Sequence, residues 1–226
     1  MSKIKKAAAV LVSGGVDSSI LLADMASQYE EVFPVYIRCG YRWEKAELHW
    51  LEKFIEVMDS ASLAPLIILE LPMKDLHSSH WSMTGKTIPG EKSAAEEVYL
   101  PGRNLLLVSK GAVFCAQQKV DKLALALLKG NPFPDATENF FKHLNAVVQE
   151  ALHSKLTIET PYLEKSKKEI LVKAAKTIPI EYTFSCLNPV EFYHCGVCNK
   201  CAERQKAFAS AKLEDPTGYV EAKIVR

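Results

Sequence analysis

Charge of one sign, long apolar stretches and internal repeats are all missing from this sequence of 226 residues. Lys plus Arg number 28 and Asp plus Glu 27, a net charge of +1, so no overall field draws the chain to nucleic acid or to an anionic membrane. The longest apolar runs fall far short of the 18 or so residues that span a bilayer. At the N-terminus, Met1-Ser-Lys-Ile-Lys-Lys leads into only six apolar residues before Ser13, too few for the core of a signal peptide. These absences predict a soluble, cytosolic protein that does not act at membranes. Glycine is scarce, at 10, and no G-x-G-x-x-G occurs, so a dinucleotide-binding Rossmann motif has no local support. Thr84-Gly85-Lys86-Thr87 imitates the end of a Walker A loop, but the required first glycine is His80 and no strand feeds it.

With 48% hydrophobic and 24% charged residues, the composition is that of a globular chain long enough to fold without disulfides. Apolar runs at 7–12, 32–37, 64–71 and 122–128 predict strands, the first buried on both faces. Helices are expected over 17–29, 44–58, 104–118 and 137–152; Leu51, Phe54, Ile55 and Met58 form the stripe of the second. A capping box at Ser166 to Glu169 opens another helix to about 176, and a short one covers about 200–212. Between the 64–71 strand and the 104–118 helix, 72–97 reads as a polar lid or binding loop. Alternating strands and helices predict an α/β fold, a parallel sheet with helices on both faces, that binds ligands at the carboxyl ends of its strands. The expected division is a nucleotide-binding domain over 1–184 and a C-terminal module with its tail over 185–226.

The first βα turn is Ser13-Gly14-Gly15-Val16-Asp17-Ser18. Paired glycines permit positive φ and close approach to an anion, and the N–H groups at a helix start favour phosphate. Ser13 and Ser18 add hydroxyl donors. Asp17 would be repelled by bare phosphate, so it is expected to hold a Mg²⁺ that bridges phosphate oxygens; its plain alternative is a helix cap. Near the other end, Cys186, Cys195, Cys198 and Cys201 lie within sixteen positions. Four thiolates suit a tetrahedral Zn²⁺ with no open catalytic position, and Gly196 lets the chain turn between ligands. Zinc is favoured over an iron–sulfur cluster because the further ligand and proline of ferredoxin motifs are missing after Cys201. Cys39 and Cys115 read as small core residues.

The Ser13–Ser18 string resembles the PP-loop of the adenine-nucleotide α-hydrolase-like superfamily, whose members cleave ATP between the α and β phosphates. Together with the cysteine spacing it is similar to the 7-cyano-7-deazaguanine synthase family, QueC or ExsB. Tyr99-Leu-Pro101-Gly102-Arg103-Asn104 matches that family's Y-V-P-G-R-N. Pro134-Asp135 with Phe140 resembles Y-P-D-C-R-x-x-F. Ser166-Lys167-Lys168-Glu169-Ile170 matches S-K-x-E-I, and Thr183-Phe-Ser185-Cys186 matches T-W-S-C. Arg204 and Phe208 follow the last cysteine as in the family, and the likeness covers about 8–210. It departs at 39–43, where Y-G-Q-R-H is replaced by Cys39-Gly40-Tyr41-Arg42-Trp43. It departs again at 81–84 and over the shortened 128–137.

The resemblance implies ATP, a small carboxylate (7-carboxy-7-deazaguanine) and ammonia as substrates. Adenylation of the carboxylate, ammonia attack to an amide, and a second activation to the nitrile would follow. Asp17, Arg103 and Lys167 are then the candidate catalytic residues, with Arg103 on phosphate or the substrate carboxylate and Lys167 on phosphate. Trp43, Asn131 and Asp135 are candidates for substrate recognition. The alternatives are a structural ion pair for Arg103, a solvated surface lysine for Lys167 and a cap for Asp135. The family's homodimer is carried over as an expectation, and nucleic acid is not expected as a partner. Other functions stay open: adenylation of a different carboxylate, a tRNA-modifying thiolase with Cys39 as sulfur carrier, and a non-catalytic zinc-stabilised scaffold.

Overall fold

Ala8, Val10 and Val12 turn to one side of the first strand and Ala9 to the other, and all are buried. A strand apolar on both sides must be covered on both sides. The computed structural model, which describes residues 4–220, provides that cover. In chain order the elements are β1 (Ile4–Leu11), α1 (Val16–Gln28), β2 (Tyr29–Arg38), α2 (Glu44–Met58), β3 (Ile67–Glu70) and α3 (Trp81–Thr84). Then come α4 (Arg103–Gln118), β4 (Lys122–Ala124), α5 (Glu138–Leu152), β5 (Thr157–Glu159), α6 (Lys167–Ala174) and α7 (Asn199–Ala211). The five strands are parallel, in the order β3-β2-β1-β4-β5.

On one face Ile20 and Leu21 of α1, Leu51 and Phe54 of α2, Leu171 of α6 and Phe208 of α7 pack with Val10 and Val32. On the other, Val108 and Ala112 of α4 and Phe141 and Leu144 of α5 pack with Ala9, Val35 and Leu123. The expected α/β architecture is therefore present. No helix among the described residues is long and apolar enough to cross a membrane. Met1–Lys3 and the tail beyond Val220 lie outside the described residues, and with them that part of the expectations for both ends.

Several boundaries differ from expectation. The third strand is shorter than 64–71, and the fourth stops at Ala124 instead of running to 128. Past Ala124 the chain leaves β1, and Ala126 and Leu127 line a cavity. β5 was not expected; its three residues are too few to show a period. It is held from outside by Asn145 of α5, whose amide accepts from Ile158 N at 2.7 Å and donates to Ile158 O at 3.0 Å, closing a sheet edge. The 72–97 segment carries the helical turn α3 and is tied down at its far end. There Gly90 bridges to Cys198, and Asn199 donates through its backbone to Pro89 O and through its side chain to Ser93 O.

The strand order reverses between β1 and β4, which places the crevice of a doubly wound sheet at the carboxyl end of β1. The Ser13–Ser18 turn leaves β1 at that point.

Candidate active site

Gly14 has φ +74°, and a Cβ there would stand 3.1 Å from the Glu47 carbonyl oxygen. The turn thus needs glycine for its backbone and for the close passage of α2. Gly15 has an ordinary φ of −69° and caps α1. Ser18 Oγ donates to Gly15 O at 3.0 Å and accepts from Ser13 N at 3.2 Å, so the turn is closed on itself. Phe184 N donates to Gly14 O at 2.7 Å and brings the chain before the cysteines against the turn.

A cavity of about 270 Å³ opens at this turn, and Ser13, Gly15, Val16, Asp17 and Ser18 line it. Trp43, Arg103, Asn131, Asp135 and Lys167, all singled out from the sequence, line it too, as does Cys186. The solvated-lysine alternative for Lys167 gives way to an ion-paired one: its ammonium lies 3.3 Å from Asp17 Oδ2 and contacts Glu203 Oε1. Burial would lower Lys167, but Asp17 and Glu203 outweigh it and hold it raised, fully cationic. Burial would likewise raise Glu203, but Lys167 and Lys200 hold it down at about 2. Asp17 Oδ1 and Arg103 Nε are buried without partners among the described residues, an acceptor and a donor at one cavity. Arg103 lies over the Tyr41 ring at 5.6 Å. Asp135 accepts from Asn104 N at 2.9 Å, capping the start of α4, while Asn131 accepts from Phe133 N at 3.0 Å.

Glu47, Lys200 and Glu203 were missed in the sequence. For Glu47 a signal existed, because it sits one turn before Leu51 on the apolar stripe of α2, where a carboxylate is unexpected. Lys200 and Glu203 carry no sequence signal beyond flanking Cys201. Tyr36 donates to Glu47 Oε2 at 2.8 Å. Burial pushes the Glu47 carboxyl up to about 7, against the pull of Arg103 and the Tyr36 hydroxyl.

The cysteine sulfurs, all buried, lie within 4.8 Å of one another. Backbone N–H groups point at two of them: Leu187 N to Cys198 Sγ at 3.4 Å, and Asn188 N and Cys195 N to Cys186 Sγ, each at 3.3 Å. Hydrogen bonds from the Cys186, Cys195 and Cys201 thiols and from the Leu187 amide hold Cys198 below the usual thiol range. Gly196, at φ +79°, makes the turn between ligands. The donor set could hold a metal and leaves no open protein position.

Cys39 is only 1% exposed, donates to Ile37 O at 3.6 Å, and burial pushes its thiol up to about 12. It is no sulfur nucleophile in this setting. Trp50, half-buried on α2, donates to Phe192 O at 2.6 Å. His77 stacks on Tyr41 at 6.2 Å, and His80 caps α3 by accepting from Ser82 N.

The family described as Queuosine biosynthesis protein QueC matches residues 7–212. The chain belongs to the QueC family. A 7-cyano-7-deazaguanine synthase of Methanococcus aeolicus is 32% identical to this QueC-family chain, over 94% of this chain and 99% of the relative. That of Nautilia profundicola is 29% identical, over 95% and 98% respectively. A 4-thiouridine synthetase, in a structure with RNA and bound ATP, superposes with a TM-score of 0.51 at 14% identity. That match covers 92% of this chain and 50% of the other. It shows the fold alone, and membership of the QueC family makes the chain an enzyme of queuosine biosynthesis.

Proposed function

We propose that the chain converts 7-carboxy-7-deazaguanine and ammonia to 7-cyano-7-deazaguanine, using ATP twice. The supporting observation is one cavity in which a phosphate-type turn, Lys167, Arg103 and the cysteine loop converge in a QueC-family chain. A carboxylate resists nucleophiles because of its charge. Transfer of AMP gives it a leaving group, and the residues' task is to place the reactants and stabilise developing charge. Ser13, Gly15 and Ser18 at the start of α1 suit the triphosphate, with Lys167 beside it. Arg103, with its free Nε, suits a phosphate or the substrate carboxylate. Asp17, with its orphaned Oδ1, suits a Mg²⁺, which would neutralise phosphate charge when bound. The four sulfurs suit a structural Zn²⁺ that ties the 185–226 module to the domain before it. Six free cysteines fit the reducing cytoplasm, and a homodimer belongs to the same proposal. Incubation with ATP, Mg²⁺, ammonium and 7-carboxy-7-deazaguanine, followed by mass spectrometry, should yield AMP and the nitrile; AMP without nitrile overturns this assignment.

A second reading, adenylation of a related carboxylate, is favoured by one observation. The three segments that depart from the family meet at the same cavity wall: Trp43, Trp81, Asn131, Phe133 and Asp135 all line it. Trp43 and Trp81 lie 5.6 Å apart, and Trp81 Nε1 is buried without an acceptor. Buried recognition groups discriminate strongly because a wrong ligand leaves them unpaired. Comparing kcat/KM for 7-carboxy-7-deazaguanine with that of a family member carrying Y-G-Q-R-H decides between the readings: comparable values with nitrile as product exclude the second.

A further inference from the structure

The reaction proposed above releases protons in both halves. Ammonium has no lone pair, so the nitrogen must lose a proton to become a nucleophile. The amide nitrogen must then lose its remaining protons to become a nitrile. A general base for this needs a free atom at the reacting cavity and a proton affinity near the working pH.

Among the described residues no histidine lines the cavity, and most of its carboxylates are committed. Asp17 pairs with Lys167 at 3.3 Å through Oδ2, and its Oδ1 is the oxygen proposed above for Mg²⁺; Glu203 lies between Lys167 and Lys200, and Asp135 accepts from Asn104 at 2.9 Å. Lys167 itself is locked in its cationic form between two carboxylates.

Glu47 is different. It lines both the main cavity and an adjoining one of about 160 Å³ beneath the ends of β1, β2 and β4, and Ser13, Ser18 and Arg103 are shared by the two. Tyr36 occupies Oε2, and Oε1 has no hydrogen bond among the described residues. The charged and titratable groups around it are Arg103 from α4, Tyr36 from β2 and Glu44 from its own helix, with Asp17 and Lys167 across the cavity. Burial leaves its carboxyl at about 7, where it exchanges protons readily.

We propose that Glu47 is the general base of the reaction, its free carboxylate oxygen taking the proton from the nitrogen nucleophile at the activated carboxyl. In the first half the C–N bond forms and the C–O bond to AMP breaks, its electron pair leaving on AMP. The nitrogen's proton goes to Glu47 and then to solvent. In the second half the adenylated amide gives its N–H protons in turn to the same carboxylate. The C–O bond breaks again with its electron pair leaving on AMP, and the carbon–nitrogen triple bond closes. This assignment rests on the proposed function, so the experiment reads the two separately.

Wild-type protein is assayed for exchange of pyrophosphate into ATP in the presence of 7-carboxy-7-deazaguanine. Absence of exchange overturns the function itself. Glu47→Gln is expected to slow amide formation from ammonium by about 10²–10⁴-fold, with exchange falling far less. Hydroxylamine, already largely unprotonated at neutral pH, should recover most of the lost rate as hydroxamate. The wild-type rate should fall as pH drops through about 7, a limb missing from the variant's residual activity. Tyr36→Phe keeps the carboxylate and removes a donor to its charged form, so the limb should move to higher pH. Amide formation by Glu47→Gln at the wild-type rate overturns the proposal. So does a loss equal in exchange and in amide formation, or an unmoved limb in Tyr36→Phe.

Discussion

Lys167 Nζ stands 3.3 Å from Asp17 Oδ2, joining the start of α6 to the start of α1 across the crevice at the end of β1. The contact leaves the other Asp17 oxygen buried and without a partner. Glu203 holds Lys167 from the far side, so the ammonium keeps one carboxylate partner when Asp17 is replaced.

Asp17→Asn should therefore lower turnover by about 10²–10³-fold while leaving the thermal midpoint nearly unchanged. In the proposed role the lost carboxylate acts on phosphate-bound charge, and Glu203 still anchors Lys167. Steady-state kinetics and a melting curve on the same preparation check both halves; wild-type turnover would reduce Asp17 to a helix-start residue.

Gly14→Ala should destabilise the protein by about 1–2 kcal/mol, because it forces a side chain into a left-handed backbone. It also presses on the Glu47 carbonyl 3.1 Å away. Since α2 carries Glu47, activity should fall more than stability does. Denaturant titration and kinetics measure the two losses.

Purified protein should carry one zinc per chain, and Cys198→Ser should lose it and melt at a lower temperature. The four buried sulfurs lie within 4.8 Å of one another, and without a cation that crowding is unfavourable. Elemental analysis reads the metal; iron with inorganic sulfide would overturn the zinc assignment.

Glu47 should limit stability at high pH. Its folded carboxyl lies at about 7, above the ordinary 4.5, so the stability linked to it is whole below about 4.5 and lost as pH rises through 7. Glu47→Gln should thus be more stable than wild type by about 1–2 kcal/mol near pH 8 and nearly equal to it near pH 4. Urea unfolding at the two pH values tests this. A variant less stable at both would show that the carboxylate contributes packing and hydrogen bonding alone.

The local pieces of this protein were legible in its sequence because neighbours along the chain determine them. The Ser13–Ser18 turn, the capping box of Ser166 and Glu169 and the cysteine spacing all depend on residues a few positions apart, and the structure holds each as such a unit. The stripe of α2 likewise showed which face of that helix is buried. β5 was not legible: three residues carry no period, and they are a strand only because β4 and Asn145 supply their hydrogen bonds.

Only the tertiary structure decided which charges meet. Glu47, Arg103, Lys167 and Glu203 come from four different helices, brought to one cavity by a sheet whose order reverses beside β1. Their protonation follows from that meeting. Glu203 is held at about 2 and Glu47 pushed up to about 7, although both are glutamates on helices. Burial and the sign of the nearest charge set a carboxyl's proton affinity, and both are properties of distance in space, which the order of residues along the chain does not contain.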